Sequence, residues 1–171
     1  LLLCGTMVAA ETKITGEMYP QWHMDFSEGA DNYSEFELGR AYINFLSDIN
    51  EQTSVRVTTD IRSTTGFSGY SIILKFGYAE WKPKFSDRLA FRFGLQPTWY
   101  IYAINKIWGR RYVEKPTNEL TGFLSGADLG ASANIGFGNS GMTSLNVAVF
   151  NGTAFTDIND NNKQKDIDAV L

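Results

Sequence analysis

Basic side chains are the residues of this sequence with the clearest chemical potential. Four candidates are arginines on the polar side of alternating segments, and four more are cations within residues 106–115. Fixed positive charges around a narrow aqueous passage favour the entry of anions. Together with one acid on a polar side, they are the candidate pore-lining and constriction residues: Arg40, Arg56, Arg62, Arg92, Lys106, Arg110, Arg111, Lys115 and Asp128.

Two nearby acids, Glu114 and Glu119, permit a second interpretation of the bases at 106–115. Arg110 and Arg111 either contribute to an anion-favouring constriction or pair with these carboxylates as a structural clamp. The sequence leaves both interpretations open.

Residue types for catalysis are scarce. The chain has one histidine, His23, and one cysteine, Cys4, so a disulfide framework and a multi-histidine or multi-cysteine metal site are excluded. No serine or cysteine partner for His23 is identifiable from spacing. We therefore predict a protein that is not an enzyme and uses no cofactor. The net charge of −4, with scattered charges, also gives no electrostatic footprint for nucleic acid.

Alternation of polar and apolar residues is the dominant pattern of the chain. From Ile14 to Phe26 even positions are mostly apolar and odd positions polar, which is strand periodicity. This segment exceeds the usual soluble strand of about 5–6 residues and suits a membrane-crossing strand of about 9–11. Pro20 cannot donate a ladder hydrogen bond, so a bulge is predicted there.

Further alternating segments follow at 55–62, 88–96, 128–135 and 145–150, with their charges on the polar side. Segments 35–46 and 71–81 are also rich in strand-forming residues, but their phase is broken. Phe36 and Leu38 fall on the polar side of the first segment, and the faces of the second cannot be assigned. Seven strands and the start of an eighth at Asp166 are predicted.

Connectors alternate in length between these strands. Those at 47–52, 83–87 and 137–142 are short, whereas those at 27–34, 63–70, 97–120 and 152–165 are longer. Short turns at one end and long loops at the other are typical of outer-membrane barrels. The 97–120 connector is too apolar for disorder, and as the third long connector it is predicted to fold against the inside of such a barrel.

Residues 1–10 read LLLCGTMVAA and are predicted to be the remnant of a secretory signal peptide. Small residues precede an abrupt polar start, which places the cleavage between Ala10 and Glu11. Residues 11–171 then form the predicted barrel segment.

Five segments also carry a family resemblance. They are FELGRAYINF (36–45), LAFRFGLQP (89–97), WGRRYVEK (108–115), SGADLGASANIGF (125–137) and VAVFNG (147–152). In this order and spacing they resemble the front half of the phosphate-selective porin O/P family. The lysine cluster of its anion-selective members has no counterpart here.

This resemblance implies an all-β protein, an antiparallel transmembrane β-barrel of about 16 strands, of which about 8 are covered here. It also implies a homotrimer embedded in outer-membrane lipid and passing small hydrophilic solutes by passive diffusion; the basic residues add an expected preference for anions. Two alternatives are a small eight-stranded outer-membrane barrel with a structural or adhesive role, and a secreted carbohydrate-binding β-sandwich.

Overall fold

The computed structural model describes residues 11–31, 33–138, 143–157, 159–160 and 163–171. The predicted signal remnant at 1–10 lies outside them. Eight strands and two helices follow one another in the chain. They are β1 (Glu11–Met24), β2 (Ser34–Asn50), β3 (Thr53–Thr64), β4 (Phe67–Trp81), β5 (Leu89–Pro97), α1 (Trp99–Trp108), α2 (Thr117–Leu120), β6 (Ala127–Phe137), β7 (Thr143–Phe150) and β8 (Asp166–Val170).

All eight strands form one antiparallel sheet, in which each strand pairs with its neighbours in sequence. This confirms the all-β prediction, including the eighth strand that begins at Asp166. The sheet is open, and no ladder joins β1 to β8 among the described residues. The closed eight-stranded barrel considered above is therefore not the architecture observed.

Two bulges explain the segments whose phase was broken in the sequence. The register of β1 and β2 shifts between Tyr19 and Pro20, as the missing N–H of Pro20 predicts. Because of this shift, Phe36 and Leu38 lie on the same side of β2 as Ala41. A second shift, where Thr58 and Thr59 of β3 face Phe76 and Leu74 of β4, leaves Lys75 as the extra residue.

The connector between β3 and β4 differs from the prediction. A loop was predicted over 63–70, but β3 continues to Thr64 and β4 begins at Phe67, so only Thr65 and Gly66 form the turn. Gly66 has a φ of 85°, which glycine adopts without steric cost. The other predicted long connectors are present at the same end of the sheet, spanning 25–33, 98–126 and 151–165.

The two faces of the sheet have opposite character. One carries large apolar side chains that are exposed, including Met18 (74%), Phe36 (89%) and Phe93 (75%). The other carries polar side chains that are buried, among them Thr58, Asp60 and Gln96. None of the described strand residues that register with the apolar face is charged. The sheet is thus inverted relative to a soluble one, in which the apolar face is the buried face.

Among the described residues, no helix has the length and apolar character needed to cross a lipid bilayer.

Candidate functional site

The connector from Thr98 to Gly126 covers part of the polar face. Helix α1 lies against the sheet with Ile101 only 2% exposed, and Ile101 and Tyr102 share one cleft with Asn44 and Thr58 of the strands. Gly109 follows the last residue of the helix as its C-terminal cap. Its φ of 61° allows its N–H to bond to the Asn105 carbonyl. The connector therefore lies against the polar face of the open sheet.

Two contacts hold the start of the connector in place. The Thr98 hydroxyl donates to the Ser125 carbonyl oxygen at 2.5 Å, which brings the two ends of the connector together. Asp168 of β8 accepts from the backbone N–H groups of Trp99 at 3.0 Å and Tyr100 at 3.4 Å. The Thr98 side chain makes no capping bond to α1. The Asp168 carboxylate instead accepts from the free N–H groups of the first turn of α1, and its negative charge complements the helix dipole.

We expect Asp168→Ala to loosen α1 because it removes the acceptor of these two N–H groups. A lost cap costs about 0.5–2 kcal/mol. The measurement is amide hydrogen exchange in residues 99–108, which should become faster in the variant. Asp157→Ala, which removes an exposed acid from the 151–165 connector just before β8, is the matched control. Unchanged exchange in Asp168→Ala would contradict this role.

A cluster of buried charges lies on the polar face beside the connector. Arg40 of β2 pairs with Asp60 of β3 at 3.1 Å between Nε and Oδ1, and their side chains are 12% and 0% exposed. Arg111 pairs with Glu119 at 2.9 Å. The ammonium group of Lys75 lies within electrostatic reach of both pairs. Positive charge therefore exceeds negative charge by one within this group of five.

The Arg40–Asp60 contact is an ion pair by distance only. Neither carboxylate oxygen of Asp60 accepts a well-directed hydrogen bond from the described residues. Coulomb attraction to Arg40 is therefore the interaction that offsets the burial of the Asp60 carboxylate.

Arg56 is held by neutral partners. Its guanidinium donates to Asn44 Oδ1 at 2.8 Å and to Thr58 Oγ1 at 3.0 Å, and Thr58 itself donates to Asn44 at 2.8 Å. The guanidinium also lies 4.8 Å from the centre of the Phe76 ring. The positive charge of Arg56 is thus fixed in position without being neutralised.

One cleft of about 260 Å³ brings four of the candidate residues together: Arg40, Arg62, Arg111 and Lys115. A neighbouring cleft of about 270 Å³ contains Arg56, Lys75 and again Arg111. No described carboxylate lies within ion-pair distance of Arg62 or Lys115. Burial, and then the charge of Arg40, lower the pKa of the Lys115 ammonium group from its usual value.

The other candidates lie elsewhere. Arg92 pairs with Glu80 at 2.6 Å and lies over the Trp99 ring. Lys106 and Arg110 are exposed on the connector, outside both clefts. Asp128 is buried and accepts from the Gly152 N–H at 2.9 Å, so it anchors the start of the 151–165 connector.

The clamp interpretation holds for one arginine. Arg111 pairs with Glu119, whereas Arg110 forms no ion pair among the described residues and Glu114 accepts from the Lys115 N–H at 2.7 Å. Sequence analysis did not include Lys75 among the candidates, because the bulge at this residue concealed the face on which it lies. A lysine within an apolar strand was the signal that could have identified it.

Comparison of the chain with protein-family models, curated proteins and solved structures gave no match.

Proposed function

We propose that this chain is the front part of an outer-membrane porin, in which the polar face borders a water-filled passage and the apolar face contacts lipid. The observation that carries the proposal is the inverted sheet, with exposed Met18, Phe36 and Phe93 on one side and buried Asp60 and Gln96 on the other. Large exposed apolar surfaces mark contact with lipid or with another protein. A passage lined by the polar face would allow small hydrophilic solutes to diffuse passively.

Absence of charge from the apolar face supports a lipid contact. A lysine or arginine facing lipid costs about 2–4 kcal/mol at the bilayer midplane. The described strands direct their charged residues to the polar face instead, for example Arg56, Asp60 and Arg92. The secreted β-sandwich would require a second sheet over the apolar face, and the described chain forms a single sheet.

The connector supports a narrowed passage with anion preference. It lies on the polar face, where it places Arg111 and Lys115 opposite Arg40 and Arg62 of the strands. Asp60 and Glu119 pair with two of these four charges. Glu37 and Glu114 also line the cleft, but Arg62 and Lys115 remain outside ion-pair distance of the described acids. We therefore propose a preference for small anionic solutes, with the full barrel of about 16 strands assembled as a homotrimer.

Planar-bilayer recording of the full-length protein tests this function. We expect stepwise conductance increases and, in a salt gradient, a reversal potential of anion-selective sign. A reversal potential of cation-selective sign would contradict the anion preference, and absence of conductance would contradict the pore itself. A trimer band on a detergent gel that disappears on boiling would support the assembly, whereas solubility without detergent would contradict it.

A further inference from the structure

A histidine and two glutamates meet on the polar side of β1 and β2, next to the 25–33 connector. His23 pairs in register with Glu35, and Gln21, two residues earlier, pairs with Glu37. One ligand-type atom from each of His23, Glu35 and Glu37 lies within 4.8 Å of the other two. The group combines one imidazole nitrogen with two carboxylates, a donor set that Zn²⁺ accepts.

The distances suit a tetrahedral ion. Zinc bonds of about 2.0–2.2 Å to nitrogen and oxygen place two ligand atoms of a tetrahedron about 3.3–3.5 Å apart. His23 Nε2 and Glu35 Oε1 are 3.2 Å apart, close to one such edge. Glu37 supplies a third ligand atom within 4.8 Å of both, and its carboxylate would move closer when an ion binds.

Neighbouring side chains orient both carboxylates. The Tyr33 hydroxyl donates to Glu35 Oε2 at 2.6 Å, and the Gln21 amide donates to Glu37 Oε2 at 2.9 Å. Each glutamate therefore has one carboxylate oxygen oriented by a neutral donor. Outer partners of this kind fix the ligands of metal sites, and a simple His23–Glu35 ion pair does not need Glu37 or Gln21.

We propose that His23, Glu35 and Glu37 bind a divalent transition-metal ion of the Zn²⁺ type, with water as the fourth ligand. Bound there, the ion would join the last residues of β1 to the first residues of β2 and fix the start of the 25–33 connector. Two carboxylates would neutralise its charge. Glu37 shares a cleft with Arg40, Arg62 and Lys115, but no described lysine or arginine lies within ion-pair distance of it. The proposal is independent of the porin function.

Calorimetric titration of the chelator-treated, folded full chain with ZnCl₂ tests the site. We expect one Zn²⁺ per chain, and Co²⁺ in place of Zn²⁺ should give the strong visible absorption of a tetrahedral complex. His23→Ala should abolish binding, and Glu37→Gln should weaken it at least tenfold. Tyr33→Phe should weaken it about tenfold, as loss of an outer partner does.

Glu28→Gln is the matched control, because it removes an exposed carboxylate of the neighbouring 25–33 connector that is not one of the three proposed ligands. Its affinity for Zn²⁺ should equal that of the wild type. The proposal would be overturned if the wild type showed no saturable Zn²⁺ binding, or if His23→Ala and Glu37→Gln bound Zn²⁺ as strongly as the wild type. Circular dichroism of each variant checks that the sheet is intact, and Glu37→Gln, nearly identical in shape to the wild type, decides the question if His23→Ala fails to fold.

Discussion

The Asp60→Ala variant is expected to unfold at a much lower denaturant concentration than the wild type, with a loss of about 3–5 kcal/mol in the free energy of unfolding. Asp60 is fully buried, and its partner Arg40 is only 12% exposed. Removing the carboxylate leaves the guanidinium buried without a counter-charge. Lys75 lies near enough to Arg40 to add repulsion to this loss.

Urea unfolding of the detergent-solubilised protein, followed by tryptophan fluorescence, measures the effect of Asp60→Ala. Asp87→Ala removes an exposed acid from the turn after β4 and should change the free energy of unfolding little. The double variant Arg40→Ala, Asp60→Ala should recover part of the loss, because neither charge is then left alone. Equal stability of Asp60→Ala and Asp87→Ala would show that the buried pair contributes nothing.

Replacing both Arg62 and Lys115 with glutamate is expected to reverse the ion preference of the proposed pore. Both side chains line the same cleft, and neither has a described carboxylate within ion-pair distance. The double substitution converts two positive charges into two negative ones, so the cleft should attract cations. In a salt gradient across a planar bilayer, the reversal potential should change from anion-selective to cation-selective sign.

A second double variant, Lys106→Glu with Arg110→Glu, is the matched control for this reversal. It changes the net charge of the chain by the same amount and lies on the same connector, but both side chains are exposed and outside the cleft. We expect only a small change in reversal potential. A shift as large as that of the Arg62 and Lys115 variant would mean that net charge, and not position in the cleft, sets the selectivity.

Strands were predictable from this sequence because polar and apolar residues alternate along them. Pro20 even indicated a bulge, because its missing N–H is a local property. The phase around Lys75 was not predictable, because a bulge depends on the partner strand. The short turn at Thr65 and Gly66 was not predicted, because the polar residues at the end of β3 and the start of β4 have the composition of a loop.

The site was only partly predictable for a related reason. Helix α1 reads WYIYAINKIW, a short and mostly apolar run, and the type of such a run is hard to assign from sequence alone. Its first-turn partner, Asp168, lies 69 residues away from Trp99 in the chain. Composition identified the bases of the connector, but only the fold determines that Arg111 and Lys115 join Arg40 and Arg62 while Lys106 and Arg110 do not.

The dependence of α1 on Asp168 also has a consequence for the order of folding. Contacts between residues far apart in sequence form slowly, because a long loop must close before they contribute. The carboxylate that satisfies the start of α1 is on β8, which pairs with β7, and β7 pairs with β6. This contact therefore depends on three later strands, so we expect the start of α1 to be fixed in place only after β8 has joined the sheet.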